Sequence, residues 1–288
     1  MNIPDNARAD ILIQALPYIK SWAGKTVVVK YGGAAMTNEG VRQAVAQDIV
    51  LMGCVGIRTV LVHGGGPEID AMLRRLGKEP AFVGGLRFTD EETMEIVQMV
   101  LAGKVNKDIV ALIQREGGKA LGISGIDGGL LRARRLAKGG ADLGFVGEIV
   151  KVDAAVLDCA LRDGYVPVVS TIGTGIKDDD NYYNINADTA AAEIAVALGA
   201  EKLILLTDVP GILRDLSDEG TLVAELPRAE IPGLVAEGVV AKGMIPKVEC
   251  CARAIEGGVS RAHILDGRHP HSLILELFTD AGSGTMIL

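Results

Sequence analysis

Aromatic side chains are scarce in this chain, at 3% of 288 residues with a single tryptophan. A core built without them relies on Ala, Val, Leu and Ile, the palette of buried parallel strands covered by helices. The four cysteines, Cys54, Cys159, Cys250 and Cys251, make no Cys-x-x-Cys pair, and the adjacent two are poorly placed to bridge each other. The expectation is four reduced thiols in a cytoplasmic protein, most of them small core residues, which excludes a disulfide scaffold. A basic excess is also lacking. The net charge is −8, whereas nucleic-acid binders more often show a basic face. Acidity still permits an anionic substrate, because lysines and loop amides can make a locally positive pocket. No apolar run reaches the roughly 20 residues a membrane span requires. The N-terminus carries acidic residues among its first ten and has no signal-peptide pattern. Finally, the chain has neither a Gly-x-x-x-x-Gly-Lys-Ser/Thr loop nor a kinase His-Arg-Asp motif. Phosphate chemistry here needs another way to neutralise charge.

What is present is alternation. The strand at 26–30 precedes a helix from about Glu39 to Met52. The strand at 58–62 precedes a helix that begins near Pro67, a residue suited to a first turn. Thr89-Asp90-Glu91-Glu92 reads as a capping box, opening a helical stretch to about Glu116 with a break near Gly103. Strands are expected at 119–123, 130–135, 145–150, 166–170, 202–206, 262–265 and 284–287. Helices are expected at 153–163, 187–198, 227–236 and 245–257. Strands alternating with helices imply a mostly parallel sheet with helices on both faces, and the length suits one large α/β domain or two lobes sharing that sheet. Ahead of it, residues 5–22 form an expected helix with Ile11, Leu12, Ala15, Leu16, Ile19 and Trp22 on one stripe. Pro17 is expected to kink it. Its apolar stripe must pack on its own subunit or on another.

Two strands end in bare glycine backbone: Val27-Val28-Val29-Lys30-Tyr31-Gly32-Gly33 and Thr59-Val60-Leu61-Val62-His63-Gly64-Gly65-Gly66-Pro67. Glycine allows a sharp turn, and its N–H groups can converge on an anion. In open α/β sheets ligands sit beyond the carboxyl ends of the strands. Lys30, both glycine loops, Thr171–Gly173 and Thr207-Asp208 all lie just past such ends and can share one rim. Asn184-Ile185-Asn186-Ala187-Asp188 enters an Ala-rich helix, with Asp188 near the first turn, where a carboxylate suits the helix dipole. That alone would be a capping cluster, yet two asparagines and an aspartate exceed the need of one cap. Ala241-Lys242-Gly243-Met244-Ile245-Pro246-Lys247 places a lysine in another first turn, where the dipole disfavours a cation. It is either a solvated lysine or a functional one, since a broken local rule marks a candidate site. Two lysines from different ends of the chain would serve phosphoryl transfer, which rests mostly on positioning and electrostatics.

Lys30-Tyr31-Gly32-Gly33, His63-Gly64-Gly65-Gly66-Pro67, Gly85-Leu86-Arg87-Phe88-Thr89, Tyr183-Asn184-Ile185-Asn186-Ala187-Asp188 and Gly243-Met244-Ile245-Pro246-Lys247 together resemble the amino acid kinase superfamily. Within it, the pattern resembles the branch that uses ATP, with Mg²⁺ carried on its phosphates, to phosphorylate the γ-carboxylate of N-acetyl-L-glutamate in arginine biosynthesis. The resemblance covers nearly the whole chain. It implies a three-layer αβα sandwich around a mainly parallel eight-stranded sheet, with no resident metal. It divides the chain into an N-terminal helix at 1–24, an acetylglutamate-binding and dimerising lobe at 25–175, and an ATP-binding lobe at 176–288. By the same resemblance Lys30 and Lys247 contact the transferring phosphoryl group and Asp188 holds both. Gly32, Gly33, Gly65 and Gly66 supply loop amides, and Arg87 and Asn184 hold the acceptor. Asp208, Gly211, Ile212 and Leu213 lie where the nucleotide binds. His63 is expected to fix the glycine loop, while His269 and His271 have no assigned role.

The extra N-terminal helix and the C-terminal segment resemble the arginine-inhibited members of that branch. In these, helices of neighbouring homodimers interlace into a hexamer. Tyr18, His263, Glu276 and Gly282 then match an arginine pocket. The resemblance also admits a nitrogen-signalling PII protein as a partner. Alternatives within the superfamily are glutamate 5-kinase, aspartokinase, carbamate kinase and uridylate kinase. A Rossmann dehydrogenase is disfavoured by Lys-Tyr-Gly-Gly where Gly-x-Gly-x-x-Gly would stand. A silent arginine sensor is disfavoured by intact Lys30, Asp188 and Lys247.

Overall fold

The computed structural model describes residues 4–36, 38–137, 142–177, 179–280 and 282–288, so residues 1–3 of the expected N-terminal segment lie outside the described residues. In chain order the elements are α1 (Asp5–Trp22), β1 (Thr26–Tyr31), α2 (Glu39–Cys54), β2 (Arg58–His63), α3 (Gly66–Arg75), β3 (Phe82–Val83), β4 (Leu86–Arg87) and α4 (Glu91–Gln98). A π-helical segment, Met99–Val105, joins α4 to α5 (Asn106–Arg115). There follow β5 (Ala120–Ser124), β6 (Leu131–Arg135), β7 (Val146–Val152), α6 (Ala155–Arg162), β8 (Val166–Ser170), β9 (Ile172–Thr174), β10 (Tyr182–Ile185) and α7 (Ala187–Ala197). The chain closes with β11 (Lys202–Thr207), β12 (Glu225–Leu226), α8 (Ile231–Ala236), α9 (Met244–Glu256), β13 (Arg261–Asp266), α10 (Ser272–Phe278) and β14 (Thr285–Ile287).

The main sheet has eight strands in the order β12-β14-β13-β11-β1-β2-β8-β5. All its pairings are parallel except β13 with β14. The αβα sandwich with an eight-stranded, mainly parallel sheet is therefore present. β1 shows why the strands read as continuous apolar runs: all six of its residues are buried. Val27, Val29 and Tyr31 face the cluster beneath α2, α4 and α5, and Val28 faces the cluster beneath α7 and α9. By the same alternation Lys30 falls on the α7 side. β6, β7, β9 and β10 make a second, small sheet that closes on itself. β10 comes from beyond residue 176 yet pairs with β7 and β9, so the boundary expected there is bridged by strand pairing.

Several expectations change in detail. The helix start at Thr89-Asp90 is capped by Asp90, whose carboxylate accepts from Thr93 N, while Thr89 Oγ1 donates to its own neighbour's carbonyl at Arg87. Asp90 is the stronger acceptor and is also held by Lys78. The expected break near Gly103 is a continuous π-helical turn that keeps the path while shifting the helix register. The cysteines are free, but Cys251 alone of the four is buried; Cys54 and Cys159 lie on solvent-facing helix surfaces. Sequence reading missed α10 and the hairpin β3–β4 altogether. α1 is present as expected and none of its residues is buried, with Leu12 70% and Ile13 67% exposed. Its C-terminal end docks on α10 through Trp22 Nε1, which donates to the Leu277 carbonyl at 2.9 Å.

Candidate active site

β1, β2 and β11 end together, and the loops that follow them meet above the sheet. Lys30 is the fifth of the six residues of β1, with only 9% of its surface exposed. Opposite it, α7 starts at Asn186, whose side chain accepts from both Asp188 N and Thr189 N. This cap frees the Asp188 carboxylate from capping duty and aims it at Lys30. Asp188 Oδ1 lies 3.0 Å from Lys30 Nζ, and Oδ2 accepts from Lys247 Nζ at 2.8 Å. Lys247 stands in the first turn of α9, the position that breaks the dipole rule, and Asp188 is what compensates it. Burial alone would push the Asp188 carboxyl up; the Lys30 and Lys247 ammonium groups outweigh it and hold the pKa below the ordinary value. Gly32 has a specific duty here. A Cβ at that position would come within 2.8 Å of Lys30 Nζ and displace the ammonium group.

Beside this bridge is a cavity of about 160 Å³ lined by Gly64–Gly66, Arg87, Asn184 and the start of α7. Arg87 is almost fully buried at the end of β4. Its guanidinium lies over the Phe82 ring, 4.9 Å from the centroid, and donates to Asp70 and to the Gly66 carbonyl. Phe82 and Asp70 thus fix the plane of the guanidinium from two sides. Asn184 Nδ2 donates to Thr89 Oγ1 at 3.3 Å, and its backbone N to the Phe145 carbonyl at 2.8 Å. His63 is fully buried beneath the second glycine loop; burial lowers its pKa to about 4, and its Nδ1 lies 2.8 Å from the Gly64 carbonyl. The expected structural role of His63 agrees with this contact.

On the other side of the bridge, Asp208 is exposed just past β11. Gly211 adopts φ +146, and a Cβ there would meet Thr285 Oγ1 and Leu222 at 2.8 Å. Ile212 and Leu213 turn their side chains into the core, and the Ile212 backbone is itself engaged, its N–H donating to Thr285 Oγ1 and its carbonyl accepting from Val223 N, both at 2.8 Å. Among the described residues no cluster of three or more His, Cys, Asp or Glu side chains could hold a metal.

The remaining residues of interest lie elsewhere, in a cavity of about 460 Å³ between α1 and the far end of the sheet. Tyr18, His263, Glu276 and Gly282 all line it. Glu276 is not open there. Its Oε1 is taken by Lys202 Nζ at 2.5 Å and His263 Nε2 at 2.9 Å, and its Oε2 accepts from Ser283 N. Burial would raise the Glu276 pKa, but His263 and Lys202 pull it down to about 2. The Tyr18 hydroxyl donates to Asp280. His271 pairs with the buried Asp48 of α2 at 2.6 Å, and His269 Nε2 lies 3.5 Å from Asp266.

Sequence reading did not single out Asp70, Lys202 or Asp280, and gave Trp22 only a place on the apolar stripe of α1. Asp70 sits one turn after Gly66 on α3, a spacing that could have nominated it. Lys202 opens an otherwise apolar strand, which was the available signal for a buried, paired cation.

The amino acid kinase family model matches residues 25–266. An acetylglutamate kinase of Heliobacterium modesticaldum is 58% identical over 290 residues, covering 98% of each chain. One of Moorella thermoacetica is 54% identical, covering 100% of this chain and 99% of its own. Among solved structures, an N-acetylglutamate synthase of Neisseria gonorrhoeae complexed with coenzyme A and N-acetyl-glutamate superposes with TM-score 0.84 at 32% identity. That likeness covers 97% of this chain but only 63% of the synthase chain. A carbamate kinase of Giardia lamblia, at 17% identity and TM-score 0.64 over 92% of this chain and 99% of its own, shares the fold alone. No helix among the described residues is long and apolar enough to cross a membrane. The chain therefore belongs to the amino acid kinase family, alongside its acetylglutamate kinases, and is a kinase.

Proposed function

We propose that the protein transfers the γ-phosphoryl group of ATP to the γ-carboxylate of N-acetyl-L-glutamate, giving N-acetyl-L-glutamyl 5-phosphate and ADP in arginine biosynthesis. The observation that carries this reading is the Lys30–Asp188–Lys247 bridge beside a small cavity with a fixed guanidinium. The acceptor lies in the cavity, with one carboxylate on Arg87 and its acyl-amino group near Asn184. A γ-carboxylate oxygen attacks phosphorus, the bond from phosphorus to the β,γ-bridging oxygen breaks, and that electron pair leaves with ADP. Lys30 faces the phosphoryl group from the acceptor side and Lys247 from the nucleotide side. Asp188 keeps the two ammonium groups apart and aimed. Amides of Gly32–Gly33 and Gly65–Gly66 meet the charge on the phosphoryl oxygens. The nucleotide lies over Asp208 and the backbone of Gly211–Leu213, with magnesium travelling on its phosphates.

Regulation is part of the same proposal. A second structure of the Neisseria synthase, 30% identical with TM-score 0.80 and likewise covering 97% of this chain and 65% of its own, contains L-arginine. The cavity beside α1 would take arginine as an effector, with Tyr18 closing it. Since Lys202 neutralises Glu276, the acids left for a guanidinium are Asp280 and Glu225 at the cavity's mouth. The apolar surface of α1 supports assembly. Ile11, Leu12, Ile13 and Leu16 are exposed in the single chain, and such faces mark interfaces. In this reading α1 helices of neighbouring homodimers interlace into a hexamer. Arginine then inhibits by favouring a subunit arrangement with a more open site.

Acetylglutamate-dependent ADP release tests the reaction. ADP release that ignores acetylglutamate overturns it. In that assay Arg87→Ala raises KM for acetylglutamate far more than KM for ATP, because the guanidinium grips the acceptor in ground and transition states alike. Equal effects on both place Arg87 outside the acceptor site. Lys30→Ala and Lys247→Ala each lower kcat by roughly 10²–10³-fold, the usual loss of one preorganised donor. Lys30→Arg does not rescue, since a planar fork cannot replace a compact ammonium. Near-normal kcat in Lys247→Ala contradicts the two-lysine scheme. Deleting residues 1–20 yields an active dimer that arginine no longer inhibits, read by light scattering and an arginine titration. A truncated protein that stays hexameric or inhibited contradicts the role given to α1.

A further inference from the structure

Asn106 is the first residue of α5, placed directly after the π-helical segment, and it is buried. Its Nδ2 donates to the Val168 carbonyl at 2.7 Å and lies 3.1 Å from His63 Nε2, both closer than the Ile123 carbonyl at 3.4 Å. Its Oδ1 accepts from Lys107 Nζ at 2.9 Å. An ammonium only donates and a carbonyl only accepts, so the Asn106 amide has a single orientation that satisfies both. In that orientation it donates to His63, which leaves His63 Nε2 as a bare acceptor. The ring is neutral, because burial lowers its pKa to about 4, so its one proton is on Nδ1. Nδ1–H therefore donates to the Gly64 carbonyl 2.8 Å away.

This proton placement has a geometric consequence. The Gly64–Gly65 peptide is trans, and across a trans peptide the carbonyl and the following N–H point in opposite directions. Drawing the Gly64 oxygen inward onto a buried ring turns the Gly65 N–H outward, to the side where Gly64–Gly66 line the cavity. Among the described residues Gly65 N–H has no acceptor. The loop is held at two further points. Gly64 N donates to the Tyr31 carbonyl at 3.2 Å, and Leu101 and Val105 occupy the space where a Cβ on Gly65 would fall, at 2.7 and 3.3 Å. Leu101 and Val105 both belong to the π-helical segment, whose shifted register also delivers Asn106 to His63.

We infer that Asn106 and His63 are positioning residues for phosphoryl transfer: through one hydrogen-bond relay they fix the Gly64–Gly65 peptide so that Gly65 N–H faces the acceptor. This rests on reading the cavity as the acceptor site. The groups around the ring are Lys107 from α5, Tyr31 in register on β1 and Ser170 in register on β8. Burial raises the Tyr31 phenol, so it stays neutral, and Lys107 lowers the His63 pKa further.

The relay is tested by reversing it. In Asn106→Asp the ionised side chain accepts only, and the Val168 carbonyl loses the donor it had in Nδ2, so a neutral His63 must carry its proton on Nε2, leaving a bare Nδ1 against the Gly64 oxygen. A second proton restores Nδ1–H, and the new carboxylate raises the ring's pKa. The variant's kcat/KM for acetylglutamate then falls roughly 10²-fold at high pH. It recovers as pH drops through a new ionisation of the ring–carboxylate pair, shifted upward from the wild-type ring by the adjacent negative charge. The wild type lacks that ionisation. A loss caused only by weakened packing gives no such pH term. A variant with the wild-type pH profile overturns the inference. Imidazole ¹⁵N NMR of the wild-type protein provides the independent arm, which holds even where the variant fails to fold. His63 with a protonated Nδ1 and bare Nε2 from about pH 6 to 9 is the expected spectrum, and the Nε2–H tautomer overturns the relay. A wild-type protein inactive with acetylglutamate but showing the Nδ1–H form would overturn the substrate assignment and leave the relay standing.

Discussion

Asp188 between Lys30 and Lys247 is the interaction on which the rest of this site depends. Two ammonium groups this close would repel each other strongly where water is sparse. One carboxylate with an oxygen for each converts that repulsion into a rigid bridge with one net positive charge. The excess charge is what a phosphoryl group needs. The bridge also joins three elements far apart in sequence: β1, the start of α7 and the start of α9. Removing one member of a buried ion group typically costs 3–5 kcal/mol, because the survivors are left uncompensated. The site and the placement of α7 and α9 relative to β1 are therefore held by the same atoms.

The glycine loops show the complementary constraint. Bare backbone can approach an anion closely, but it has no side chain of its own to hold it in place. Each loop is steadied from behind. Tyr31 donates its hydroxyl to the Ala35 carbonyl across the first loop at 2.8 Å, and His63 holds the second. Arg87 is steadied in the same manner by Asp70 and Phe82. At the opposite end of the sheet a second buried cluster, the Lys202–Glu276 ion pair with His263 hydrogen-bonded to it, ties α10 to β11 and β13. α10 also touches α2 through His271 and Asp48, and α1 through Trp22. α10 thus contacts both α1 and α2, the helix that follows the Lys30 loop.

Much of this was legible in the sequence because the signals were local. Apolar runs ending in glycine located the strands and the rim, and a lysine in a helix's first turn flagged Lys247 without any partner in view. The contacts that escaped notice are long-range. Lys202 meets Glu276 from 74 positions away, and Asn106 meets His63 from 43. Nothing in either neighbourhood encodes the partner. Short strands such as β9 and β10 exist only because the small sheet pairs them, and α10, seven residues long, is too short for periodicity to declare. Thr89 looked like the cap because its hydroxyl fits the motif. The neighbouring Asp90 won with a charged acceptor and a lysine partner. Most of the cysteines were expected inside by residue type, although Cys54 and Cys159 are turned to solvent by their helices.

The central claim is that one carboxylate organises both cations for phosphoryl transfer. Its most direct test is kcat for acetylglutamate-dependent ADP release in Asp188→Asn, with circular dichroism to confirm the folded state. The isosteric amide keeps the volume but can no longer accept charge from both lysines. A folded variant whose kcat falls by roughly 10²-fold or more is the expected result. A folded variant with kcat near that of the unaltered protein would contradict it.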